Sequence, residues 1–99
     1  WRVTKMSKLK LVIVGQATCT PCVILKKQIL SRIEEFKVAD CDFEYISLND
    51  LDDKDAFIQA HRLTSTPSVW YVKDGHKLKE HAGYVDVDTL VEWAVECNE

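Results

Sequence analysis

At 99 residues, 46% of them apolar, the chain can bury one hydrophobic core and is too short for two. Its formal charge of -3, with both signs spread along the sequence, offers no basic face to a phosphate backbone, so nucleic acid is not an expected partner. No apolar run approaches the ~20 residues that cross a bilayer, and the N-terminus lacks the long apolar core of a secretory signal; a soluble cytoplasmic protein without membrane association is expected.

Met6 opens "MSKLKLVIV" like a natural start. Residues 1–8 are therefore read as a flexible N-terminal segment, of which 1–5 are an extension foreign to the natural chain, and residues 9–99 as a single domain. "LKLVIV", Leu9 to Val14, is nearly continuous and β-branched, the composition of a strand buried on both faces. From Thr20 the period changes: Leu25, Ile29, Ile33 and Phe36 recur at helical spacing against a polar face of Lys26, Lys27, Arg32, Glu34 and Glu35. One helix from about Thr20 to Lys37 is predicted, with Pro21 in its first turn, where a backbone donor is free in any case.

"DFEYISL", Asp42 to Leu48, alternates and reads as a second strand, parallel to the first across a right-handed crossover. Ala56, Phe57, Ala60 and Leu63 mark a shorter helix that Asp52 or Asp53 caps. "SVWYV", then "KDG" and "HKLKEHAG", predicts a hairpin turning at Asp74-Gly75, and adjacent Trp70 and Tyr71 point to opposite faces, so at least one belongs to the core. Val87, Leu90, Val91 and Ala94 mark a terminal helix capped by Asp86 or Asp88.

Cys19 and Cys22 stand three apart at the junction of the first strand and helix, close enough for a disulfide with little backbone movement. The free amides and positive dipole end of the helix favour a thiolate at Cys19, the expected nucleophile. Cys22, followed by "VIL", is expected deeper, in apolar surroundings that keep it a thiol until it attacks Cys19. Two alternatives compete: two small buried hydrophobes, or part of a zinc site. Zinc lacks a second Cys-x-x-Cys, and His61, His76 and His81 have no ligand-like spacing with Cys41 or Cys97, so no metal and no cofactor are expected. Cys41 and Cys97 are read as inert packing thiols rather than a second disulfide or a regulatory pair, His61 and His81 as surface or packing residues, and Lys26 and Lys27 as a solvated face.

"TCTPC" resembles the redox loop of the thioredoxin superfamily, with Thr20 where a glycine usually stands and Pro21 matching the usual proline. "TPSVWYVKDG" is similar to that family's cis-proline, strand and turn, and Gly83, eight residues beyond Gly75, and Leu90 follow in register. The resemblance implies a minimal thioredoxin fold: β-α-β-α-β-β-α, an α/β domain whose four-stranded mixed sheet is flanked by three helices, the first and third on one face. It implies a cis Thr66-Pro67 bond beside the cysteines, with Thr66, Pro67 and Gly83 lining the substrate groove and Tyr84 at its rim, and with Thr18, Thr20 and Pro21 forming the redox loop around Cys19 and Cys22. It implies a monomer that reduces protein disulfides, with a thioredoxin-reductase-like electron donor or glutathione as its partner. A glutaredoxin-like enzyme and a binding module with a vestigial cysteine pair are the rivals; "STP" and "AGYVDVD" match the glutaredoxin signals only weakly. Two positions depart from the family pattern: Thr18 replaces the tryptophan before the first cysteine, and Ile13 the buried aspartate six positions before it. The extra N-terminal strand and helix of full-length thioredoxins are not expected in the sequence before Leu9.

Overall fold

Leu9–Gly15 forms strand β1, buried at every position except Lys10. The computed structural model describes residues 8–98, so nearly all of the predicted N-terminal segment lies outside the described residues. The remaining elements are α1 (Thr20–Ser31), α2 (Ile33–Val38), β2 (Cys41–Ser47), α3 (Lys54–His61), β3 (Ser68–Lys73), β4 (His76–Ala82) and α4 (Val87–Cys97), with a 3-10 turn at Leu48–Asp50. None of the described helices is long and apolar enough to cross a membrane.

The sheet order is β2-β1-β3-β4, with β1 parallel to β2 and antiparallel to β3. Strand periodicity divides the core. Leu9, Leu11 and Ile13 join Val69, Tyr71, Leu25, Ile29, Phe36, Leu90 and Ala94 on one face, under α1, α2 and α4. Val12, Val14, Trp70 and Leu48 occupy the other, with Phe57 and Ile58 of α3 packed against them. Trp70 and Tyr71 are thus both core residues on opposite faces, and β1 reads as a continuous apolar run because both of its faces are covered. His61 is a packing residue, its ring 4.5 Å from Phe57 and 4.7 Å from Trp70.

The predicted Thr20 to Lys37 helix is two helices, so four α-helices rather than three occur among the described residues. Arg32 breaks the run at φ -122° and ψ 27°, its N–H bonding back to the Ile29 carbonyl at 3.1 Å in a tightened last turn. Its guanidinium forks onto Glu35 with two 2.6 Å bonds and also donates to Asp88 at the start of α4. Arginine is a good helix former, so the local pattern continues through it; the break coincides with a tether to a carboxylate 56 residues away. Smaller corrections follow from the same sort of competition. β2 runs one residue earlier than predicted and releases Leu48, which packs under α3 from the 3-10 turn.

The turn and cap signals match the structure closely. Asp74 and Gly75 both take positive φ, 57° and 78°, as a two-residue hairpin loop demands. Asp53 and Asp86 cap α3 and α4, accepting from Ala56 at 3.0 Å and Thr89 at 2.8 Å.

Candidate functional site

At the end of β1 the chain turns through Gln16, Ala17 and Thr18 into α1. Two side chains hold this loop: Asn49 accepts from the Ala17 N–H at 2.7 Å, and the Gln16 amide donates to the Thr66 hydroxyl at 3.4 Å. Cys19 is the N-cap of α1, with extended backbone, and its sulfur accepts from the Cys22 N–H at 3.2 Å, the role a serine or aspartate oxygen usually plays. Pro21 stands in the first turn and takes no donor from the helix ladder.

Cys19 and Cys22 form a disulfide, with their Cα atoms 5.2 Å apart. The two sulfurs differ in environment. Cys22 is fully buried, whereas Cys19 is partly open to solvent beside the exposed Thr18, Thr20 and Pro21. Cys19 is therefore open to an external sulfur and Cys22 is not, and the helix N-terminus lies on the accessible one.

The Thr66-Pro67 peptide bond is cis. Thr66 is joined to the redox loop through Gln16, and Pro67 accepts from the Gly83 N–H at 2.8 Å, so the predicted groove residues are linked in one chain of contacts. Gly83 takes a φ of 104°, a conformation side chains rarely adopt. Tyr84 is tied down instead, donating to the Gln28 amide oxygen of α1 at 2.7 Å. Lys26 and Lys27 are exposed, and the Lys26 ammonium lies 4.6 Å from the Tyr45 ring centroid.

The other two cysteines are free. Burial pushes the Cys41 thiol up to about 12, and Cys97, half-buried against the same core, is raised by burial as well. Both are poor nucleophiles in the folded chain, which separates them from the helix-capping Cys19. No group of three or more His, Cys, Asp or Glu able to hold a metal ion occurs among the described residues.

Sequence reading missed three contributors: Gln16, Asn49 and Tyr45. The bare Cα of Gly15 is where the last of these matters. A Cβ there would lie 2.2 Å from the Tyr45 hydroxyl and 2.9 Å from Cys22 Cβ, so both residues close on a space that only glycine leaves open. A glycine ending an otherwise β-branched strand was the available signal of such a close approach.

A family model for the thioredoxin-like domain matches residues 2–96. Among solved structures, the chain is similar to thioredoxin-2 of the malaria parasite, described as a component of its protein secretion machinery: the TM-score is 0.77 at 10% identity, over 96% of this chain and 88% of that one. A mutant thioredoxin from Halobacterium salinarum aligns with a TM-score of 0.77 at 21% identity, over 93% and 76%. Oxidized thioredoxin O2 of Arabidopsis thaliana gives 0.72 at 21% identity, over 93% and 76%. At these identities the likeness is one of fold. No curated protein matches the sequence.

Proposed function

The chain belongs to the thioredoxin-like domain family, and on that premise we propose that it is a thiol-disulfide oxidoreductase that reduces disulfides of protein substrates. The observation that carries this reading is the asymmetry of the pair: Cys19 is partly exposed and accepts an N–H at the head of α1, while Cys22 is buried one turn behind it.

In the reduced protein the Cys19 thiolate attacks one sulfur of a substrate disulfide, forming a mixed disulfide and expelling the other sulfur as a thiolate. Cys22 then gives up its proton and attacks Cys19. The bond to the substrate breaks, the substrate leaves reduced, and Cys19-Cys22 remains oxidised. Thr66 lends its backbone to an extended substrate segment in a short form of strand addition, with Pro67 and Gly83 shaping the same groove. In a reducing compartment such as the cytosol, a reductase or the glutathione pool restores the dithiol.

The test is the potential of the pair. The protein is equilibrated in glutathione buffers, and each thiol is read by alkylation and mass spectrometry. A midpoint near the ~-270 mV of thioredoxin supports a reductant, and one near ~-120 mV makes the protein an oxidant and reverses the direction. A pair that never oxidises removes the enzyme reading. Insulin-disulfide reduction by wild type and Cys19→Ser then separates an enzyme from a binding module, for which the two would behave alike.

A further inference from the structure

Resolution by Cys22 requires that a fully buried thiol lose its proton on demand. Ile13 of β1 offers no acceptor: it is buried and apolar, and is paired in register with Tyr45 of β2. Tyr45 itself supplies the missing polar group. Its hydroxyl and Cys22 Cβ converge on the bare Cα of Gly15, at 2.2 Å and 2.9 Å from the point where a Cβ would sit. Tyr45 also lines an open groove with Val23, Lys26 and Lys27 of α1. Tyr45 therefore borders both the space beside the Cys22 side chain and an open groove.

We propose that the Tyr45 hydroxyl is the proton relay of Cys22, passing the thiol proton to water in this groove and then donating a hydrogen bond to the thiolate. The inference rests on the exchange reaction proposed above and concerns its second half. Burial raises the phenol above its ordinary range, so Tyr45 stays protonated and does not act as a free base. The transfer is concerted: the S–H bond of Cys22 breaks, the phenol oxygen takes that proton, and the phenol's own proton passes to a groove water. Tyr45 ends neutral, as it began. The thiolate then forms its bond to Cys19 as the Cys19 bond to substrate breaks, and the substrate departs as a thiolate. Lys26, with its ammonium 4.6 Å from the ring centroid, holds the ring at the groove through a cation–π contact.

Tyr45→Phe keeps the ring and removes the hydroxyl. In the full-length Cys19→Ser background Cys22 is left as the only thiol of the pair, and its iodoacetamide alkylation is followed against pH by peptide mass mapping, with and without Tyr45→Phe. The expected result is an upward shift of the rate midpoint and a fall of about tenfold in the rate at pH 7, equivalent to one pKa unit. Single-turnover reduction of a model disulfide by the protein with both cysteines then separates the steps. Attack by Cys19 keeps its rate in Tyr45→Phe, and release of the second substrate thiol slows by a similar factor. Coincident pH midpoints would overturn the relay and leave the exchange reaction standing. A wild type that shows no exchange would remove the reaction itself, whatever the alkylation profile.

Discussion

The backbone N–H of Cys22 donates to the sulfur of Cys19 at 3.2 Å, so the residue proposed to resolve the mixed disulfide also supplies an amide that would stabilise charge on its partner. The relationship is one-way, because the Cys19 sulfur accepts an amide as the N-cap of α1 whereas Cys22 is buried in the core. In the reduced protein at pH 7, iodoacetamide should modify Cys19 at least about tenfold faster than Cys22, as peptide mapping after short exposures would measure. Cys22→Ser should correspondingly accumulate a stable mixed disulfide through Cys19. Equal reactivity of the two thiols would remove the assignment of nucleophile and resolver.

Gly15 should resist replacement even by alanine. Elsewhere in a strand interior that change gains about 0.5–1 kcal/mol by restricting the unfolded chain. Here the new methyl would meet Cys22 Cβ at 2.9 Å, anchored on α1, and the tip of Tyr45 at 2.2 Å. Overpacking of this kind costs about 1–3 kcal/mol, which outweighs the gain. Urea unfolding should show a net loss for Gly15→Ala, partly recovered in the Gly15→Ala/Tyr45→Phe double variant because the nearest clashing atom is gone. Strict additivity of the two changes would mean that the hydroxyl does not occupy this space.

Cys41 should make the fold sensitive to alkali. Its thiol titrates at about 12 in the folded protein because burial disfavours the thiolate. In the unfolded chain it ionises near its ordinary value of about 8.5. Below that pH both states hold the proton and its contribution is fully present. As pH rises through the interval only the unfolded state loses the proton, so stability falls, and the contribution is gone above the folded value. Urea midpoints measured from pH 8 to pH 10.5 should decline less steeply for Cys41→Ala than for wild type. The slope is the readout, since the substitution also leaves a cavity that lowers every midpoint.

Tyr71 is fully buried and its hydroxyl donates to the Leu90 carbonyl, joining β3 to α4. Leu90 lies within α4, where its carbonyl also takes the helix's own hydrogen bond, so removing the hydroxyl leaves no orphaned acceptor. Tyr71→Phe should therefore cost only the net worth of one hydrogen bond, about 1 kcal/mol, and lower Tm by roughly 4–8 °C. A larger drop would show that the hydroxyl holds more than this one contact.

Features encoded within a few residues are legible in the sequence itself. The β-branched run of β1, the cysteine pair with proline at a helix start, the Asp74-Gly75 turn, and the Asp53 and Asp86 caps depend on dihedral preferences and hydrogen bonds that span about four positions. The two-sided core follows from the same local periods, since alternation along β1 assigns Ile13 and Val14 to opposite faces. Tertiary structure alone decided what rests on partners distant in sequence. Arg32 ends α1 within reach of Asp88, Asn49 and Thr66 hold the loop that carries Cys19, and the register Ile13 to Tyr45 delivers a phenol to Cys22 beside Gly15. No local period encodes these meetings, because each is set by where the sheet and helices bring separate segments together, and a side chain's neighbours are known only once that packing is.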